Sequence, residues 1–218
     1  MNELYPLIGA ILIAFAIGSN DTSNALGICI GCDIVKFKKA ISIFGALVLL
    51  GVLLQGQKVM KTVGKDLLEV NMSILGVSLF ISALLIALSN WKKLPLSCHQ
   101  VIIGSLTGSG VASGTAVNLS SLLEIILSWI ISPLSAFFFA LTLYKLMEKT
   151  LSKLPLLRVE MIIRILLMIS ALLIAYNTGA NELATVLGGA VYAGLLSPLQ
   201  ASFGGALLVW LGAVLLSS

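Results

Sequence analysis

The chain has 218 residues, of which 59% are hydrophobic and 10% charged, and its mean hydropathy is +1.11. A soluble domain carries about a quarter charged residues, so this composition excludes an ordinary water-soluble globule. The net charge of +4 is read as a matter of loop orientation in a membrane, not as a nucleic-acid signal.

The charges are unevenly spread. Residues 40–57, 70–91, 94–123 and 125–144 contain no Asp, Glu, Lys or Arg, and 165–218 contains only Glu182. A span needs about 20 predominantly apolar residues, and lipid obliges each span to satisfy its own backbone hydrogen bonds, which selects helices. The predicted fold is therefore an all-α polytopic protein of the cell membrane, surrounded by membrane lipid. Met1-Asn2-Glu3 lacks the positive region of a signal peptide, so the apolar run at 4–17 is read as the start of the first membrane element. In chain order the elements are expected near 4–31, 40–57, 72–90, 95–116, 121–144, 162–188 and 190–217, about seven crossings.

Nearly all basic residues fall between these elements. The groups are Lys36, Lys38 and Lys39; Lys58, Lys61 and Lys65; Lys92 and Lys93; and Lys145, Lys149, Lys153, Arg158 and Arg164. With the N-terminus outside and one crossing per element, ten basic residues face the cytoplasm and three face out, as the positive-inside rule requires. A lone re-entrant hairpin at 95–116 would move the group at 145–164 outside, so a net crossing is expected there. A hairpin paired with another short element remains open. Cys29, Cys32 and Cys98 lie in or beside apolar stretches and are read as small packing residues, because Cys-Ile-Gly-Cys at 29–32 has no second ligand pair.

Residues 11–27, Ile-Leu-Ile-Ala-Phe-Ala-Ile-Gly-Ser-Asn-Asp-Thr-Ser-Asn-Ala-Leu-Gly, align without gaps with 172–188, Leu-Leu-Ile-Ala-Tyr-Asn-Thr-Gly-Ala-Asn-Glu-Leu-Ala-Thr-Val-Leu-Gly. The offset is 161 residues. An odd number of crossings separates the copies, so they enter the membrane from opposite faces. That pattern predicts an inverted-repeat secondary transporter with broken helices at the midplane, its first repeat at 1–150 and an incomplete second, inverted repeat at 151–218.

Within the first copy, Gly18 ahead of small polar residues is read as a helix break with a fresh N-terminus, whose free amides attract an anion. Asn20 and Asn24 share a helical face, where their amides can bond an oxyanion. Asp21 supplies a carboxylate for a cation. The second copy offers Asn181, Glu182 and Thr185, preceded by Asn177. Carboxylates at depth are expensive, about 2.5–3.5 kcal/mol on insertion scales, and mark functional sites. Ser97 and His99 follow Pro95 at a second predicted helix start; Ser23, His99 and Asn177 are accessory candidates. Gly104/Gly108 and Gly110/Gly114 are small-xxx-small pairs that favour close packing.

Gly-Ser-Asn-Asp-Thr-Ser-Asn-Ala at 18–25 and Gly-Ala-Asn-Glu-Leu-Ala-Thr-Val at 179–186 resemble the duplicated Gly-Ala-Asn-Asp-Val-Ala-Asn-Ala signature of the inorganic phosphate transporter (PiT) family. Pro-Leu-Ser-Cys-His at 95–99 is similar to that family's Pro-x-Ser-Thr-Thr-His element. The resemblance implies a cation-coupled phosphate permease driven by sodium or protons, with no other cofactor and no resident metal. Carried over by position, Asn20, Asn24, Asn181, Thr185 and Ser97 would hold inorganic phosphate, and Asp21 and Glu182 the coupling cation. Glu182 and Thr185 depart from the family's Asp and Asn, and Cys98 stands where a hydroxyl is expected.

At the same offset the partner of 97–114 would fall at 258–275, beyond residue 218. A homo- or hetero-oligomer, or a longer chain, would have to supply that hairpin. Two other readings stand beside phosphate transport: a sulfate permease of the same fold, and a non-transporting membrane subunit or scaffold. An enzyme is not expected, because one His and no metalloprotease, nucleophile-elbow or phosphate-loop motif leave little catalytic machinery.

Overall fold

The computed structural model describes residues 4–92, 94 and 96–216. The readings placed on Met1-Asn2-Glu3, Lys93 and Pro95 lie outside the described residues. The chain forms α1 (Leu4–Gly31), α2 (Phe37–Leu54) and α3 (Gly56–Lys61), which runs on into a π-helical stretch at Thr62–Asp66. Then come α4 (Met72–Lys92), α5 (Cys98–Ala112), α6 (Leu119–Leu151) and α7 (Leu156–Asn177). A second π-helical stretch, Thr178–Leu183, joins α7 to α8 (Ala184–Tyr192), and α9 (Pro198–Leu216) follows.

Among the described residues six helical stretches are long and apolar enough to cross a membrane: Leu4–Gly31, Phe37–Leu54, Met72–Ser89, Leu119–Leu151, Leu156–Tyr192 and Pro198–Leu215. The expected crossing at 95–116 is not among them. With 15 residues, α5 is ~22 Å long, well short of the ~30 Å hydrocarbon layer.

Instead, α4 and α5 form a hairpin that returns to its own side. Gly76 abuts Pro6 and Gly9 abuts Leu79, so α4 runs beside α1 in the same direction. After α5, Val117 forms a β-bridge with Leu68 and the Asn118 amide donates to the Leu67 carbonyl at 2.8 Å. The entry to α4 and the exit from α5 are therefore neighbours. The tip lies level with residues 19–24 of α1, about ten residues or ~15 Å short of that helix's end.

This corrects the crossing expected at 95–116 and leaves the orientation of the second copy intact. Two elements merged into one hairpin remove two crossings, so the number before the second copy stays odd. Accordingly α7 begins where α1 ends: Leu157, Met161 and Arg164 line a cavity with Ile34, and the Arg164 guanidinium reaches the Cys32 carbonyl at 3.5 Å. At the other face Gly64 abuts Gly188 and Tyr192, and Gly189 abuts Leu75. The groups Lys36–Lys39 and Lys145–Arg164 thus share the face where α1 ends, opposite Lys58, Lys61 and Lys65, and it is this face that the positive-inside rule would turn to the cytoplasm. Lys92 moves to the hairpin tip, so the basic asymmetry is smaller than the sequence reading had it.

The helix contacts repeat at a 161-residue interval. A Cβ on Gly18 would collide with the Val209 carbonyl, and one on Gly179 with the Val48 carbonyl; on Gly51 it would strike the Tyr176 carbonyl, and on Gly212 that of Phe15. Each residue of one crossing has its counterpart 161 positions away in the other. The ends of α1 and α8 match as well. Asp33 (φ 52) and Gly194 (φ 81) both sit in the left-handed position of a Schellman turn, with Ile34 N–H donating to the Cys29 carbonyl at 2.8 Å and Leu195 N–H to the Ala190 carbonyl at 3.0 Å. Helix α6, capped by Asn118, has no buried residue and lies at the periphery.

Candidate functional site

The first motif copy lies inside α1, which stays α-helical from Leu4 to Gly31. The expected helix break at Gly18 is absent for a packing reason: Gly18 is where the α9 backbone touches α1. The polar residues after it are absorbed by the helix, Ser19 Oγ donating to the Ala16 carbonyl at 2.9 Å and Thr22 Oγ1 to the Gly18 carbonyl at 2.7 Å. The irregular backbone occurs at the second copy, the π-helical Thr178–Leu183, and at the hairpin tip before α5.

These three elements converge on a cavity of about 550 Å³. Ser19, Asn20, Asp21, Ser23 and Asn24 of α1 form one wall, Leu94, Leu96, Ser97 and Cys98 of the tip another, and Glu182 projects from the π-helical stretch. A groove of about 600 Å³ between α1 and α4 is larger, but it is lined mainly by apolar side chains such as Leu12, Val77 and Phe80. Polar chemistry is concentrated at the first cavity.

The carboxyl groups of Asp21 and Glu182 lie within hydrogen-bonding reach of each other, and Asn24 contacts Asp21. Ionised carboxylates only accept, and Asp21 Oδ2 is buried with no donor among the described residues. No described Lys or Arg lines this cavity. At the start of α5 beside it, Ser97 is the N-cap and its Oγ accepts from the Gln100 amide at a long 3.4 Å. The first amides of α5 and the helix dipole point at this corner.

Of the sequence candidates, Asn20, Asp21, Ser23, Asn24, Ser97 and Glu182 line the cavity. Asn181 precedes Glu182 but is not part of the lining, and Asn177 is exposed on the last turn of α7. Thr185 is buried at 1% exposure; its Oγ1 lies 2.8 Å from His99 Nδ1 and donates to the Asn181 carbonyl at 2.8 Å. His99 stands behind the tip, edge-on to Trp129 of α6 with ring centroids 6.2 Å apart. Sequence reasoning missed Cys98 and Leu96 as lining residues. Their adjacency to Ser97 was the available signal, since a helix start exposes consecutive residues to the same space.

Comparisons with known proteins bear on the family and the fold. The model of the Phosphate transporter family matches residues 17–188. A Methanocaldococcus jannaschii protein provisionally named a phosphate permease is 37% identical over 182 residues, covering 84% of this chain and 58% of that protein. The sulfate permease of Bacillus subtilis is 28% identical over 98% of this chain and 61% of its own length. The chain thus spans about three-fifths of the length of these relatives. A solved structure, "The sodium-dependent phosphate transporter", superposes with a TM-score of 0.78 at 18% identity, covering 99% of this chain and 76% of the other. With most of its length matched by the family model, the chain belongs to the phosphate transporter family.

Proposed function

We propose that the chain carries the binding half of a cation-coupled secondary transporter of inorganic phosphate, built as an inverted repeat with its site near the midplane. The observation that carries this reading is the charge balance of the cavity. Two carboxyl groups and no described basic side chain line it, so a doubly charged anion can enter only if cations or protons enter with it. Asp21 and Glu182 hold sodium or a proton. Ser23, Asn20 and Asn24 add the neutral oxygen ligands a hard cation prefers. Phosphate oxygens are held by Asn20, Asn24, Ser97 and the first amides of α5. Asn181 and Thr185 act from behind Glu182 and support the site rather than line it, and Asn177 takes no part.

The matched glycine crossings and helix ends at the 161-residue interval support a first repeat at 1–150 and a second beginning at 151. They also indicate what the site lacks. Gly188 is packed by Met60, whereas its counterpart Gly27 has nothing within 4 Å. A second unit of the α3–α5 design, from a longer chain or a partner subunit, would cover that side.

Sulfate is the second reading, favoured by the Bacillus subtilis relative. Monohydrogen phosphate can donate its proton to Asp21 or Glu182, and sulfate has none to give, so acceptors beside the anion favour phosphate. The test is uptake of labelled phosphate into liposomes, with sulfate as competitor. Asp21→Asn is expected to abolish cation-dependent uptake; unchanged uptake removes Asp21 from the mechanism. Absence of anion binding by the unmodified chain, with a second membrane protein co-purifying, favours the scaffold reading instead.

A further inference from the structure

The transport reading leaves His99 without a task, although it is next to the cavity lining and is held in defined geometry against Thr185. Thr185 Oγ1 is 2.8 Å from the Asn181 carbonyl and 2.8 Å from His99 Nδ1. A hydroxyl has one proton. If it goes to the Asn181 carbonyl, the threonine oxygen must accept from His99, which assigns the Nδ1–H tautomer through the network. The result is a chain of two hydrogen bonds from the hairpin, through Thr185, to the backbone beside Glu182. Trp129 closes the other side of the imidazole. Meanwhile Leu94, Leu96 and Ser97 at the tip are exposed, so packing alone fixes their position weakly.

We propose that His99 is a positioning residue whose bond to Thr185 latches the re-entrant hairpin to the π-helical stretch and so sets the opening of the cavity. The latch holds Ser97 and Cys98 at a fixed distance from Glu182. Asn24, the counterpart of Thr185 at the 161-residue interval, lines the cavity, whereas Thr185 bonds the hairpin. The role of the latch in uptake rests on the transport reading, but its geometry is testable without transport.

Cys98 reports on the latch directly, because it lies next to His99, lines the cavity and is only 8% exposed. In a Cys29→Ala, Cys32→Ser chain, modification of Cys98 by N-ethylmaleimide is followed over time. Thr185→Val is expected to speed it about fivefold, or ~1 kcal/mol for one net hydrogen bond. His99→Leu should do the same, and the two together should be no faster than either alone. Thr185→Ser and His99→Asn, which keep the hydroxyl and the nearer donor, should leave the rate within about twofold of the parent. Buried Cys29, kept as the single thiol in a Cys32→Ser, Cys98→Ala chain, serves as the control and should stay unreactive in Thr185→Val. An unchanged Cys98 rate, multiplying effects of the two substitutions, or simultaneous exposure of Cys29 would overturn the latch.

Discussion

Gly18→Ala probes the helix crossing on which the cavity is mounted. A Cβ at this position would meet the Val209 carbonyl oxygen, and would lie 2.8 Å from the Val209 carbonyl carbon and 2.9 Å from the Ala213 nitrogen. The obstacles are backbone atoms of α9, so no side chain can swing aside and the two helices must part. Overpacking costs about 1–3 kcal/mol, and backbone on both sides puts this case at the upper end. Alanine returns up to ~1 kcal/mol through helix propensity, leaving a net loss of about 2 kcal/mol. For a chain of this size that lowers the unfolding midpoint by roughly 4–8 °C. Gly27→Ala, in the same helix with nothing within 4 Å, has only the propensity gain and should raise the midpoint by up to ~4 °C. Unfolding in detergent, followed with a thiol-reactive dye that reads the buried Cys29 and Cys98, measures both. Gly179→Ala should match Gly18→Ala, because the Val48 carbonyl meets it as the Val209 carbonyl meets Gly18. Equal shifts of the same sign for Gly18→Ala and Gly27→Ala would refute the contact explanation.

Two further substitutions test the repeat and the charge balance. Asp33→Gly replaces a left-handed non-glycine residue by the residue its counterpart Gly194 already is; a gain of about 1 kcal/mol is expected, and a loss would show that the Asp33 side chain does more than occupy the turn. Glu182→Gln removes one of the two acids lining the cavity. In proteoliposomes it should lower by one the number of positive charges that accompany each phosphate, as read from the reversal potential, and an unchanged stoichiometry would place the coupling cation elsewhere.

The helices themselves were legible because lipid leaves so few alternatives: long uncharged stretches have to satisfy their own hydrogen bonds. Hydropathy could not distinguish a crossing from a re-entrant hairpin. The segments that form α4 and α5 are equally apolar in either arrangement, and what decides is the contact of Leu68 with Val117, across a sequence separation that no local pattern encodes. The expected inversion does not depend on this point, because turning two crossings into one hairpin changes the count by an even number. At Gly18 the expectation of a broken helix failed for a similar reason: glycine before polar residues signals both a chain break and a close helix contact, and only the position of α9 tells them apart. Asn20, Asp21, Asn24, Ser97 and Glu182 were readable as polar groups at depth. Thr185 was readable as polar but not as a partner of His99, since the bond joins residues 86 positions apart.

The equivalence of the two motif copies holds for packing and fails for side-chain environment. Gly18 and Gly179 meet carbonyls of counterpart helices, and α1 and α8 end in the same turn. Yet α8 is covered by α3 and α4, through Gly188 against Met60 and Gly189 against Leu75, while the second half of α1 carries Ser23, Asn24 and Ile28 exposed. A buried polar residue must find a partner within the protein, which Thr185 does in His99 and the Asn181 carbonyl. Asn24 is exposed, lines the cavity and contacts Asp21 within it. Among the described residues the second copy therefore presents a buried, internally bonded wall to the cavity and the first an exposed one, next to Asp21.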